Sequence, residues 1–271
     1  MSQRPTIQDV TFCLKTIHRP DSVRRLVNSI LHYHPKARID VLDDGRPKHR
    51  LDRYYPDLIK KLNAFHVTDY DIGVSAGRNE LVKRADTPYV FIIDDDMVLS
   101  KHTRLSLVLN RLWNLDDEVD VIGFRHHDAG RPRIMTPIEV QGQPVLWVKQ
   151  QALSWFKDEP RIGLCHMVDN ILLAKRQSLI DHPWDDALKV FEHWFYFYQG
   201  MVNGLRVAVS SDTSTVHKAA KSVAGYRNLR GRRYFFRLAL KKSGFREIRI
   251  AKERPQKLLR GPQGPEDQGD P

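Results

Sequence analysis

Cysteine is nearly missing from this chain. Two occur in 271 residues, Cys13 and Cys165, each in or beside an apolar run (TFCL, GLCHM). A disulfide framework is excluded and nothing suggests a zinc site, so both read as buried free thiols in a reducing compartment. Long apolar runs are missing too. None approaches the roughly 20 residues of a bilayer-spanning helix, and the opening MSQRPTIQDV has no apolar stretch of the signal-peptide kind. The expectation is a cytoplasmic protein. Acids are in deficit: 33 Asp and Glu stand against 44 Lys and Arg, a net charge of +11. That surplus draws a protein to nucleic acid, anionic lipid or phosphorylated substrates, without choosing among them.

What is present is an ordinary core. Hydrophobic residues make up 41%, enough for one sizeable α/β domain or a domain with an appended segment. DVTFCLKT, residues 9 to 16, reads as a first strand. In the following helix Val23, Leu26, Val27 and Ile30 recur at helical spacing, with Asp21 or Ser22 as cap and Pro35 as stop. ARIDVLDDG and AFHVTDYDIG read as strands, SAGRNELVKRAD as a helix, YVFIIDDDM as a fourth strand. HTRLSLVLNRLWNLDDEV is helical and VDVIGFRH is another strand. This alternation predicts an α/β fold with a mostly parallel sheet flanked by helices and ligands at the carboxyl ends of its strands.

Further on, RIMTPIEVQGQPVLWVKQ reads as two strands about a QGQP turn, and MVDNILLAKRQSLI returns to the α/β rhythm. ALKVFEHWFYFYQGMVNG is predicted helical as far as Gly200 or Gly204, and LRVAVSSD as a last strand. After His217 the chain turns strongly basic, and RRYFFRLALKKSGF has the pattern of a basic amphipathic helix. The tail GPQGPEDQGDP, residues 261 to 271, is expected to be disordered.

In FIIDDDMVLS, residues 91 to 100, three like charges stand together: Asp94, Asp95 and Asp96. Magnesium and manganese take oxygen ligands and commonly bridge one or two carboxylates and substrate phosphates. Asp94 and Asp96, alternate residues at a strand end, suit that task; a solvated acidic turn is the competing reading. LDDG adds a second acidic strand end, where Asp43 or Asp44 could bond a nucleobase or ribose, or simply make an Asp-Gly turn. Glu192 heads the aromatic run EHWFYFYQ, where desolvation suits a general base; a solvated Glu192 on a core-packed helix is the plain alternative. His217 could ligate a metal through neutral imidazole, or be a surface residue. Arg78 and Asn79 lie at a predicted helix start suited to phosphate, though an ordinary surface arginine would look the same.

In this order, VTFCLKTIHRPDSVRRLVNSI, IDVLDDG and GVSAGRNELVKRADTPYVFIIDDDMVL resemble the nucleotide-sugar half of GT-A fold glycosyltransferases, the acids matching the DxD motif. DNILLAKRQSLI, VFEHWFYFYQG and SSDTSTVHK look like the acceptor half. The spacing is most similar to family 2-like enzymes and ganglioside-type β-1,4-N-acetylgalactosaminyltransferases, over about residues 9 to 220. The resemblance implies a GT-A domain over 1–220, with a nucleotide-sugar half of about 9–123 and an acceptor half of about 124–220, then a basic extension over 221–260. It implies inverting transfer of a hexosyl or N-acetylhexosaminyl group from a UDP-sugar to a glycan or glycoconjugate hydroxyl, with Mn2+ or Mg2+ on the diphosphate. Asp94 and Asp96 would hold metal and ribose, and His217 a distal metal position. Asp43 or Asp44 would read the uracil beside the Thr16 to Arg19 loop. Arg78 and Asp95 join the donor site. Glu192 takes the place of the acceptor-deprotonating carboxylate. Family 2 enzymes usually carry Glu-Asp there, where this chain has Glu192-His193, so the base is Glu192 or another acid, Asp169 being the fallback.

Haloacid-type phosphatases also end a strand in DxD. They need a small polar residue where this chain has Val98, which sets that reading aside. A nucleic-acid-binding protein with structural acids is the rival from another class, since arginines interleave with Tyr226, Tyr234, Phe235 and Phe245 across residues 226–260. The same segment suits peripheral contact with the anionic inner face of a membrane, a glycosyltransferase acting on modified DNA bases, or a helix packed on the domain. Residues 124 to 162, on which the acceptor depends, match no readable pattern.

Overall fold

Period-two burial in one central strand organises both faces of the molecule. The structure, a computed structural model, describes residues 3–126, 131–219 and 226–251. Strand β1 (Val10–Thr16) leads into α1 (Pro20–Tyr33), then β2 (Arg38–Asp43). Two single-turn helices, α2 (Leu51–Tyr54) and α3 (Pro56–Ile59), precede β3 (Ala64–Val67). There follow α4 (Val74–Arg84), β4 (Tyr89–Ile93), the short β5 (Met97–Val98), α5 (Leu105–Asn114) and β6 (Val121–His126). In β4, Val90 and Ile92 face one core with Leu81 of α4, while Phe91 and Ile93 face another with Val27 of α1 and Leu109 of α5. A strand buried on both faces reads as a continuous apolar run, which is why YVFII was legible.

The remainder comprises β7 (Ile134–Val140), β8 (Gln143–Lys149), β9 (Ser154–Trp155), β10 (Ile162–Cys165) and β11 (Ile171–Lys175). Then come α6 (Arg176–Asp181), α7 (His193–Val202), β12 (Val207–His217), α8 (Tyr226–Arg230), α9 (Arg233–Ser243) and β13 (Glu247–Ile250). The main sheet runs β3-β2-β1-β4-β11-β6-β12-β10-β9, with β5 on β12; β13, β8 and β7 form a smaller sheet. Strands β3, β2, β1 and β4 are parallel, and β12 is parallel to β6. Strand β11 enters antiparallel between β4 and β6. The α/β expectation holds, with antiparallel pairings added in the second half.

Several boundaries differ from the sequence reading. Helix α1 starts at Pro20, placing Asp21 and Ser22 inside it, and no side chain caps it; proline's fixed φ suits a first helical position. It ends at Tyr33, ahead of Pro35 as expected. The third strand stops at Val67, since Asp71 turns to φ 58 and gives its N–H to the Asp44 carbonyl. Helix α7 begins only at His193, because Phe191 at φ 61 leaves the helical region. Strand β12 runs on past Asp212, shifts register between Val209 and Ser214, and sets His217 opposite Met97.

The basic segment is packed onto the domain over the described residues 226–251. Ala239 and Phe245 are buried in the core shared with α4 and α7, Phe235 and Phe236 pack against it, and β13 pairs with β8. The apolar face of the amphipathic helix is thus occupied by the protein itself. Residues 221–225 and 252–260, and the tail expected to be disordered, lie outside the described residues. No described helix is long and apolar enough to cross a membrane. Cys13 and Cys165 are buried and free, as expected.

Candidate active site

The carboxyl ends of β1, β2 and β4 meet at one edge of the sheet, and the three consecutive acids leave it there. Their repulsion is met by arginine. Arg19, just after β1, donates from Nε to Asp95 at 3.1 Å and from Nη1 to Asp96 at 2.9 Å, and its Nη2 also bonds Asp95. The Thr16 hydroxyl donates to Asp95 at 2.6 Å. Asp95 is buried, and burial pushes its carboxyl up to about 6 against the pull of Arg19. The ring of Tyr226 lies 4.7 Å from the Arg19 guanidinium, a cation–π contact from the basic segment.

Arg78 serves a second pair of acids. Its Nη2 donates to Asp94 at 2.8 Å and its Nη1 to Glu192 at 2.7 Å. Two close approaches place it. Gly73 precedes α4 at φ 99, and a Cβ there would lie 2.6 Å from Lys189 Cα; a Cβ on Gly77 would lie 2.6 Å from Lys15 Cγ. Val74 N–H donates to the Lys189 carbonyl at 3.0 Å, and the Ser75 hydroxyl to that of Leu188 at 2.6 Å. Asn79 donates to the Trp184 carbonyl and to Asp186, both at 2.7 Å, so it braces this loop rather than facing a ligand. The loop delivers Glu192, buried, to the head of α7.

A cleft of about 260 Å3 opens between these groups, lined by Thr16, Arg19, Arg78, Asp94, Asp95 and Glu192 among others. Asp43, Asp44, Asp96 and His217 are not on its wall. Asp43 accepts the N–H groups of Gly45 and Leu51, both at 2.8 Å, and orders the turn after β2; burial pushes it up to about 6. Asp44 accepts Lys15 Nζ at 2.6 Å and Gly73 N–H at 3.2 Å, with burial raising its pKa against Lys15. His217 Nε2 is 3.6 Å from Asp96, a meeting that the β12–β5 pairing enforces.

Among the described residues, no three His, Cys, Asp or Glu side chains gather to hold a metal ion by themselves. Asp96 and His217 come together, while Asp94 gives one oxygen to Arg78. Such a set suits an ion that takes further ligands from water and phosphate. His193, where the family usually has Asp, is half-buried; its Nε2–H donates to the Val168 carbonyl at 2.6 Å and burial lowers its pKa. Asp169, the fallback base, accepts Arg133 Nη1 at 2.8 Å and is off the cleft wall.

The sequence reading missed Lys15, Asp71, Lys189, Arg230 and Arg232, all on the wall. Asp71 accepts both terminal nitrogens of Arg232, at 2.6 and 3.0 Å, and lies 3.7 Å from Lys189 Nζ. Residues 161 apart carry no local signal of such a pair.

The sheet and cleft are those of an α/β protein that takes its ligand at the carboxyl edge of its strands. The chain belongs to glycosyl transferase family 2, whose model matches residues 11–172, from β1 into β11. It is 27% identical to β-1,4 N-acetylgalactosaminyltransferase 2 of Mus musculus over 195 residues, 71% of this chain and 36% of that protein. It is 27% identical to β-1,4 N-acetylgalactosaminyltransferase 1 of Homo sapiens over 216 residues, 77% of this chain and 38% of that protein. The chain thus spans less than two-fifths of the length of these relatives. Among solved structures it resembles S. aureus TarS 1-349 in complex with UDP-GlcNAc, with a TM-score of 0.56 and 16% identity, covering 86% of this chain and 66% of that one. S. aureus TarS 1-349 alone gives a TM-score of 0.53 at 15% identity, covering 77% and 60%. At such identity the likeness is one of fold, the GT-A fold.

Proposed function

We propose that the protein transfers a sugar, with inversion, from a UDP-sugar to a hydroxyl of a glycan or glycoconjugate. The observation that carries this reading is the Arg78 bridge, which holds a buried carboxylate, Glu192, across the donor-side acid Asp94 within one cleft. Family membership supports it, and so do the N-acetylgalactosaminyl specificity in the relatives' names and the UDP-GlcNAc bound to a structural neighbour.

In this mechanism Glu192 accepts the proton of the acceptor hydroxyl as its oxygen bonds to the anomeric carbon. The bond from that carbon to the diphosphate breaks, and UDP leaves with the electron pair. Asp94, Asp96 and His217 would hold Mn2+ or Mg2+, which when bound offsets charge on the departing diphosphate. Thr16, Arg19 and Asp95 keep the acidic turn in register at the donor, and Asp43 and Asp44 shape the nucleobase side through the turn they hold. Asp169, tied to Arg133 off the cleft wall, is less well placed, which supports Glu192 as the base.

The exposed Arg233, Arg237 and Lys241 of α9 support a second role for this segment, contact with an anionic membrane or nucleic acid near the acceptor. Calorimetric titration of UDP with manganese, with chelator, and against Asp96→Ala tests the first reading. Manganese-dependent binding that the variant loses is expected; absence of UDP binding under every condition would sink it.

A further inference from the structure

The charges around the cleft fall into two groups of opposite balance. In the first, Asp94, Asp95, Asp96 and Glu192 meet two guanidiniums, Arg19 and Arg78. In the second, Lys189 and Arg232 share one carboxylate, Asp71, and Arg230 adds a third cation, with no other carboxylate bonded to the three among the described residues. The second group therefore carries an excess of two positive charges in a partly enclosed cleft, where screening by water is weaker than on an open surface.

The segment that supplies this excess is anchored on both sides of α8. Tyr226 at its start lies on Arg19, and Arg232 just after it forms a two-pronged bond to Asp71. Four residues on from Tyr226, Arg230 stands on the same helical face. Its Nη1 donates to the Tyr226 hydroxyl at 3.4 Å, and it meets no carboxylate among the described residues. The core-packed α9 fixes the whole unit.

We infer that Arg230, with Lys189 and Arg232, binds the diphosphate of the nucleotide-sugar donor, so that the basic C-terminal segment is a wall of the donor site. This rests on the reading of the cleft as a donor site. A planar guanidinium with free donors suits phosphate oxygens, and the two excess charges match those of a nucleotide-sugar's diphosphate. Arg230 is thereby a binding residue that stabilises the departing diphosphate as well.

The test is calorimetric titration of UDP and of uridine into the full chain and its Arg230→Ala, Arg230→Lys and Arg227→Ala variants, all with manganese. Arg230 and Arg227 are both exposed, so each variant is expected to fold. Arg230→Ala should weaken UDP about tenfold or more, as loss of a charged hydrogen-bond partner does, and leave uridine unchanged. Arg230→Lys should recover part of the loss, and Arg227→Ala, off the cleft wall, should show none. Unchanged UDP affinity in Arg230→Ala overturns this inference alone. An equal loss of uridine affinity, or an equal loss in Arg227→Ala, also overturns it. No UDP binding by the wild-type chain overturns it together with the proposed function.

Discussion

Glu192 and Asp94 share one guanidinium: Arg78 donates to the first at 2.7 Å and to the second at 2.8 Å. The groups assigned to the acceptor and donor sides are thus joined by a single buried cation. Arg78 and Glu192 side chains are 4% and 8% exposed, so neither charge can fall back on water.

Arg78→Met should therefore destabilise the protein by about 3–5 kcal/mol, the usual cost of leaving one partner of a buried pair uncompensated. Most of that cost belongs to Glu192, because Asp94 is 40% exposed and keeps solvent. Urea denaturation measures it. An unchanged midpoint would mean that Glu192 takes up a proton or finds another partner.

Glu192→Gln keeps the shape and removes the carboxylate proposed as the base. Sugar transfer should fall by about 10²–10⁴-fold, the contribution of a positioned general base, while UDP binding holds. Asp169→Asn should leave transfer largely intact, since Asp169 is occupied with Arg133 away from the cleft. Product formation under single-turnover conditions distinguishes the two, and the reverse pattern would make Asp169 the base.

The buried Asp95 gives a pH signature. Its carboxyl is pushed from 3.8 to about 6 by burial first, with Arg19 pulling the other way. Between those values the folded chain binds a proton that the unfolded chain does not. Wild-type stability should therefore gain on Asp95→Asn as pH falls from about 6 towards 4, by up to about 3 kcal/mol, and the gain is absent above that window. Denaturation curves of both proteins at neutral and acid pH give the difference. A gap independent of pH would show that Arg19 cancels burial, and one that shrinks as pH falls would show that Arg19 outweighs it.

Two glycine substitutions separate strain from collision. Gly204 is at φ 85, and a methyl group added there would meet nothing within 4 Å, whereas Gly73 is at φ 99 with Lys189 Cα 2.6 Å from the added carbon. Gly204→Ala should cost about 1–2 kcal/mol of backbone strain alone. Gly73→Ala should cost more and lower transfer, because Lys189 must shift and Glu192 follows it. Equal melting-temperature losses with full activity would mean that the loop yields freely.

Much of this molecule was legible without coordinates. Continuous apolar runs marked β1 and β4 because helices bury both their faces, and helical spacing marked α1 because only one of its faces is buried. Asp94 to Asp96 stood out at a strand end, and Glu192 at the head of an aromatic run. Local pattern carries such features because they arise from the period of the backbone itself. The turns at Asp71 and Phe191 were not legible: both adopt φ near +60°, which aspartate takes only at a minority of its positions and phenylalanine rarely, so packing must impose it.

The sequence by itself determined the strands, the helices and the acids at the sheet's edge, and it held the cations in surplus. Which cation meets which acid was decided only by the tertiary structure: Arg19 with Asp95, Arg78 with Glu192 and Arg232 with Asp71 lie 76, 114 and 161 residues apart. An ion pair depends on distance and dielectric in space, and the fold sets both.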